Sequence, residues 1–146
     1  MTRQMLFLGL LIVSSLYAMI RGGRPEQIGA TALLGGAGLS YGLAHPAGVR
    51  FQHVEAGIFL VDIMVLGIFL CLSLRSTRFW PIWIASLLLS EVIVHIARFA
   101  VPDVVPIAYM NAVALWAWAV QVMLIAATWR HRDRLRKWGV DKSWRN

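Results

Sequence analysis

The sequence contains little charge. Only 14% of its 146 residues are charged, against about 25% in a typical soluble domain. In contrast, 59% are hydrophobic, and the mean hydropathy is +0.67. Several apolar runs are about 20 residues long, which is the length that crosses a bilayer. The sequence therefore predicts an all-α polytopic integral membrane protein with almost nothing outside the bilayer.

Several reactive residues are missing from the apolar part of the chain. No lysine occurs before Lys137, which excludes a Schiff base within the membrane. Cys71 is the single cysteine, which excludes quinone-linked dithiol chemistry. His95 is the only histidine well inside an apolar run, which disfavours a haem held by two histidines, although a single pigment on His95 stays open. Neither HExxH nor ExxH occurs, so the sequence identifies no enzyme activity and no cofactor.

Five apolar runs can be drawn as membrane spans. They cover 4–20, 26–44, 53–74, 80–100 and 106–129. Pro25 and Pro81 lie where a helix would begin, and the other prolines lie in connections, so no predicted span has a proline in its middle. The sequence predicts a five-helix transmembrane bundle over 1–129 and a basic cytoplasmic tail over 130–146.

Arginine and lysine set the expected orientation. If the C-terminus is inside, 11 of the 14 basic residues lie in the inner segments "RGGR", "RSTR" and the tail. Only Arg3, Arg50 and Arg98 lie outside. Because basic residues in short loops favour the cytoplasmic side, we expect an N-out, C-in topology. The tail is expected to lie against anionic lipid head groups and not to bind nucleic acid.

The second run is rich in small residues. Gly38 and Gly42 form a GxxxG pattern, and Ala32, Gly36 and Ser40 recur every four residues. Small residues on one ridge let membrane helices approach closely, so these five are predicted packing positions. The pattern leaves open whether this helix packs within the chain or against a second copy. The protein is expected to be a homo-oligomer or a subunit of a larger membrane complex.

Ionisable side chains interrupt the third and fourth runs. The stretch "SEVIVHIARF" places Glu91, His95 and Arg98 on one helix face. Glu55 and Asp62, seven residues apart, share a face of the preceding helix. If the two helices are antiparallel neighbours, Asp62 and Glu91 both lie roughly 13–15 Å deep, near the middle of a ~30 Å hydrocarbon core.

These residues form the candidate site. With Asn111 of the fifth run, which reaches a similar depth, the predicted ion or proton site consists of Asp62, Glu91, His95 and Asn111. The predicted outer rim consists of His53, Glu55 and Arg98. Three interpretations stay open: a structural polar network, a proton or cation site whose two carboxyls share a proton, and a metal or cofactor site.

The fifth run also carries the aromatic residues Tyr109, Trp116 and Trp118. By residue count Trp116 and Trp118 lie near mid-membrane, away from the interfaces where aromatic belts form. They are expected either to pack against neighbouring helices or to form the wall of a site for a flat apolar ligand, such as a quinone or a porphyrin.

Three segments, "RGGRPEQIGA", "LRSTRFWPIW" and "TWRHRDRLRKWGVDKSW", resemble a set of small five-helix bacterial inner-membrane proteins that have no assigned activity. The segments cover the expected inside loops and not the polar stripe. The resemblance implies the bacterial inner membrane and the five-helix topology, and it implies no function.

The residues support three functional hypotheses. The leading one is a small inner-membrane protein with a polar pocket, open to the outside, that binds or translocates protons or a cation. The second is a non-catalytic assembly or stabilising subunit of a larger membrane complex, which would use the second helix and the tail as contact surfaces. The third is a membrane oxidoreductase or sensor that binds a quinone, haem or pigment.

Overall fold

The structure, a computed structural model, describes residues 2–43, 56–101 and 106–145, without the side chains of 106–110, 112 and 113. The described residues form five helices: α1 Arg3–Arg21, α2 Arg24–Leu43, α3 Ala56–Arg75, α4 Trp80–Ala100 and α5 Pro106–Trp138. The all-α prediction is confirmed. Three helices, α1, α3 and α4, are long and apolar enough to cross a membrane.

The helix ends follow from local sequence signals. The Thr2 hydroxyl caps α1 by accepting a hydrogen bond from the backbone N–H of Met5. Pro25 and Pro81 lie in the first turns of α2 and α4, as the sequence predicts. At the other end of the chain Gly139, with φ of 69°, follows the last residue of α5, a left-handed conformation that favours glycine. That turn lets the chain reverse after α5.

The five helices form a closed ring. Each helix contacts the next one along the chain, α5 returns to contact α1, and α2 also contacts α5. One end of the ring carries residues 22–23, residues 76–79 and the last turns of α5, and we call it the tail end. The opposite end, where α1 begins, is called the Thr2 end. The α3–α4 pair therefore runs antiparallel, as the short connection predicts.

The core lies mainly between α3 and α4. Phe69 and Ile84 are fully buried there, and Leu88 packs in the same cluster. Many large apolar side chains point outwards instead, with Ile20 exposed to 72% and Leu74 to 74%. Outward-facing apolar side chains over most of the ring are what a bilayer covers, which is consistent with a membrane protein.

The small residues of α2 divide between two faces. Ala32 packs against the α3–α4 core, and a Cβ at Gly36 would lie only 2.7 Å from Cγ2 of Val65 in α3. At Gly38 and Gly42 an added Cβ would meet no described residue within 4 Å, and Ser40 is half-buried. The first ridge thus packs within the chain, whereas the GxxxG pattern faces away from it.

Gly36→Ala and Gly38→Ala form a matched pair that tests this division. We expect Gly36→Ala to lower the free energy of unfolding by about 1–3 kcal/mol, because the added methyl must displace a buried valine. Gly38→Ala should be neutral or slightly stabilising, because alanine has the higher helix propensity. Thermal unfolding in detergent measures both. Equal stability of the two variants would show that α2 does not approach α3 at Gly36.

Candidate functional site

The centre of the predicted polar stripe is a carboxylate–imidazole pair. Oδ2 of Asp62 in α3 lies 2.9 Å from Nε2 of His95 in α4, an ion-pair distance. The His95 side chain is 3% exposed and that of Asp62 is 17% exposed, so the pair lies between the helices with its carboxylate at the edge. The antiparallel packing of α3 and α4 brings these two residues to one level, and we call them the Asp62–His95 pair.

Two further ionisable residues share the buried face of α4. Glu91 and Arg98 are both buried, which agrees with the spacing that predicted one face for Glu91, His95 and Arg98. Glu91 lies one turn from His95 and within electrostatic reach of Asp62. Two carboxyls and an imidazole therefore lie on the facing sides of α3 and α4 within about one helical turn of each other.

Apolar layers enclose the Asp62–His95 pair from both ends of the bundle. Towards the Thr2 end, the Phe59 ring packs on His95 with ring centroids 5.7 Å apart, and it also packs on Phe99. Towards the tail end, Val65, Leu88 and the rest of the α3–α4 core follow directly. The Asp62–His95 pair thus lies between two apolar layers of α3 and α4.

The remaining predicted site residues are placed elsewhere or lie outside the described residues. Asn111 is exposed, and its Oδ1 accepts a hydrogen bond of 2.8 Å from Nη1 of Arg3 in α1. The structure therefore gives Asn111 a partner on α1 and does not bring it to the Asp62–His95 pair. His53 and Glu55 of the predicted rim lie outside the described residues, so their contact with Arg98 stays a prediction.

The predicted aromatic wall is also divided. Trp118 packs edge-on against Phe7 of α1, with centroids 5.6 Å apart, which supports the packing interpretation for this residue. Trp116 is half-buried, and the side chain of Tyr109 lies outside the described part of the chain. The ligand-wall interpretation stays a prediction.

A second polar centre, which the sequence did not predict, lies at the tail end. Five residues from three parts of the chain form it, and we call it the tail cluster: Glu26, Arg78, His131, Arg134 and Asp141. Glu26 is fully buried; its Oε1 accepts a hydrogen bond of 3.0 Å from the Trp80 indole and lies 3.3 Å from Nε of Arg78. A buried carboxylate of this kind persists only when it is paired.

Asp141 is the acceptor at the centre of the tail cluster. Its carboxylate accepts a hydrogen bond from Nη1 of Arg78. It accepts another, of 3.0 Å, from Nε of Arg134. Nδ1 of His131 lies 2.6 Å from Oδ2 of Asp141 and 3.1 Å from Nη2 of Arg78. A protonated Nδ1 donates to the carboxylate and cannot also accept from the guanidinium, so the shorter contact assigns the imidazole as donor to Asp141.

These contacts change the acidity of Asp141. Burial alone raises the pKa of a carboxyl, but the hydrogen bonds from His131, Arg78 and Arg134, together with the Arg78 charge, hold the pKa of Asp141 below its ordinary value. The carboxylate is therefore ionised throughout the neutral range.

The chain after α5 is fixed on the connection between α3 and α4. The Thr77 backbone N–H donates to the Ser143 carbonyl at 3.1 Å, and the Arg145 N–H donates to the Arg75 carbonyl at 2.9 Å. These last residues pack against the protein, and the expected contact of the tail with lipid head groups stays a prediction. Two features of the sequence indicate this packing: Gly139, which permits a turn after α5, and Asp141, an acid among basic residues.

No family model, curated protein or solved structure matches the chain. Among the described residues no group of three His, Cys, Asp or Glu side chains is close enough to hold a metal ion.

Asp141→Asn, with Asp133→Asn as its control, tests the tail cluster through pH. Because the pKa of Asp141 is lowered in the folded state, its stabilisation is present above the ordinary value of 3.8 and is lost as the pH falls through the folded-state value. We expect Asp141→Asn to lower the free energy of unfolding at neutral pH by about 2 kcal/mol and to flatten its acid dependence.

The control removes a carboxylate that pairs with Lys137, four residues away on an exposed face, where such a pair contributes little. Melting temperatures from pH 7 to pH 3 (a range set by the ordinary carboxyl pKa near 4) supply the comparison. An Asp141→Asn curve parallel to that of the parent would show that Asp141 is not held by the three cations.

Proposed function

We propose that the chain is a small bacterial inner-membrane protein whose five helices all cross the bilayer, and that it binds a proton at Asp62, His95 and Glu91. The tail end faces the cytoplasm and the Thr2 end faces outwards. The observation that carries the proposal is the 2.9 Å contact between Asp62 and His95 in apolar surroundings, with a second buried carboxyl beside it.

The placement of the bilayer has support from three features. α1, α3 and α4 are long and apolar enough to span it. α2 and α5 complete the ring between these helices, so they run through the same layer. Most basic residues cluster at the tail end, and arginine and lysine in short loops favour the cytoplasmic side of a membrane.

The chemistry of the site favours a proton over other ions. The Asp62 carboxylate and the His95 imidazole can share one proton across their 2.9 Å contact, and the Glu91 carboxyl can hold another. Loss of the Glu91 proton would place a second negative charge beside Asp62 in a poorly solvated layer, which is costly unless a neighbouring cation compensates. Protonation of Glu91 is therefore coupled to the charge state of the Asp62–His95 pair, which is how a protein responds to pH or moves a proton in a controlled step.

The apolar layers support binding with gated exchange rather than an open pore. The partly exposed Asp62 carboxylate lies at the edge of the helix pair, whereas Phe59 and Phe99 lie towards the Thr2 end. Towards the tail end the apolar core of α3 and α4 separates the pair from the tail cluster. Proton passage across the membrane would require water to enter this core.

A second candidate function is an assembly or stabilising subunit of a membrane complex. The face at Gly38 and Gly42, where an added Cβ meets nothing within 4 Å in the described part of the chain, favours close contact with a helix of another chain. A homo-oligomer would satisfy the same face.

Asp62→Asn and Glu91→Gln test the proposed proton site. Ser86→Ala, on the same helix as Glu91, is the control. Ser86 is exposed and its hydroxyl donates to the carbonyl of Ile82, so its loss leaves the site unchanged. Amides keep the volume of the carboxyls without titrating, so both variants should fold. Infrared difference spectra between acid and alkaline pH should show a protonated-carboxyl band that Glu91→Gln removes, Asp62→Asn shifts and Ser86→Ala keeps.

A band that survives unchanged in both amide variants would refute the proton site. Dye-reported proton flux in liposomes then distinguishes binding from translocation. Flux that is lost in both amide variants and retained in Ser86→Ala would show translocation, and no flux in the parent would restrict the function to proton binding.

A further inference from the structure

A basic cavity opens between α1 and α5 at the tail end. Its volume is about 410 Å³, and it is lined by Tyr17, Arg21, Trp129, Arg132, Asp133 and Arg136. Each helix contributes an aromatic residue and, about one turn closer to the end of the bundle, an arginine: Tyr17 with Arg21, and Trp129 with Arg132. The cavity thus has an aromatic layer towards the membrane middle and a cationic layer at its mouth.

The positive charge of this cavity is available to a ligand. Among the described residues none of Arg21, Arg132 and Arg136 forms an ion pair, whereas Arg78 and Arg134 are engaged by Asp141. The one acid in the lining, Asp133, has its Oδ2 2.8 Å from Nζ of Lys137, so its charge is offset outside the cavity. Arg78 and Arg134 thus hold the fold, whereas Arg21, Arg132 and Arg136 face the cavity.

We propose that this cavity binds the phosphate head group of an anionic phospholipid from the cytoplasmic leaflet. Arginine forms paired hydrogen bonds with phosphate oxygens, and basic cavities between membrane helices on the cytoplasmic side suit anionic head groups. The inference shares with the proposed function only the placement of the tail end at the cytoplasmic face. It uses no residue of the proton site.

The surroundings favour a lipid over a soluble phosphate. Trp129 is 62% exposed and Ile20, next to Arg21, is 72% exposed, so the cavity opens beside apolar surface that acyl chains can cover. A soluble phosphate would use the arginines and leave this surface uncovered. The tail cluster fixes the end of α5 through Arg134 and His131, so Arg132 and Arg136 project from an anchored helix.

Native mass spectrometry of the delipidated full chain can test the inference. The protein is titrated with phosphatidylglycerol or phosphatidylcholine in neutral detergent. The parent should prefer phosphatidylglycerol, and Arg132→Gln/Arg136→Gln should weaken phosphatidylglycerol binding by about thirtyfold, since two cation–phosphate contacts are lost. Arg130→Gln/Lys142→Gln removes the same charge from exposed residues outside the cavity and should retain the preference.

The single variants Arg136→Gln and Lys142→Gln guard against misfolding, because both residues are exposed. We expect about a fivefold loss for the first and none for the second. If the cavity and control variants lose the same amount of phosphatidylglycerol binding, the lipid binds by diffuse charge attraction and not in the cavity, which overturns the proposal. Full competition by inorganic phosphate at the lipid concentration would assign the cavity to a soluble phosphate, which also overturns it. Neither outcome affects the infrared test of Asp62 and Glu91.

Discussion

The ionised carboxylate of Asp141 is the group on which the tail end of the molecule depends. It joins α5, through His131 and Arg134, to the connection between α3 and α4, through Arg78. Arg78 also lies within ion-pair distance of Glu26 in α2, so one carboxylate links three parts of the ring. Because a buried arginine and a buried glutamate are costly when unpaired, removal of Asp141 would weaken contacts well beyond its own.

The local sequence also reflects this centre. A Cβ at Gly23 would lie 3.0 Å from Oε2 of Glu26 and 3.0 Å from Cε1 of His131, so a larger residue there would press on two side chains of the cluster. The Trp80 indole closes the same side by donating to Glu26. The tail end is therefore held together by several charge pairs and hydrogen bonds, whereas the Asp62–His95 pair lies between two helices with one carboxylate at the edge. The first centre suits a structural role and the second suits a change of protonation.

The sequence predicted the features that depend on helical periodicity. Glu91, His95 and Arg98 share a buried face because their spacing follows the helical repeat, and Asp62 meets His95 because a short connection makes α3 and α4 antiparallel neighbours. Counting residues along a helix gives the depth of a side chain in the bundle, but not the neighbouring helix towards which that side chain points. For that reason Asn111 was expected near the Asp62–His95 pair, whereas the structure shows it bonded to Arg3.

The tail cluster could not be predicted in the same way. Arg78 and Asp141 are 63 residues apart in the chain, and each has an ordinary local explanation, one as an inside-loop cation and the other as a charge in a solvated tail. Only the fold brings them together. The same holds for the cavity between α1 and α5, whose arginines come from the first helix and the last.

The chain order of the tail cluster sets the order in which it can form during synthesis. Glu26 and Arg78 emerge from the ribosome before His131, Arg134 and Asp141, so the nascent chain has only the Glu26–Arg78 contact to neutralise the glutamate. α3 and α4, with the Asp62–His95 pair, can associate at that stage, while the ring stays open between α1 and the missing α5. α5 and the residues that follow it come after α1 to α4 in the chain, and they both close the ring and complete the charge pairing of the tail cluster.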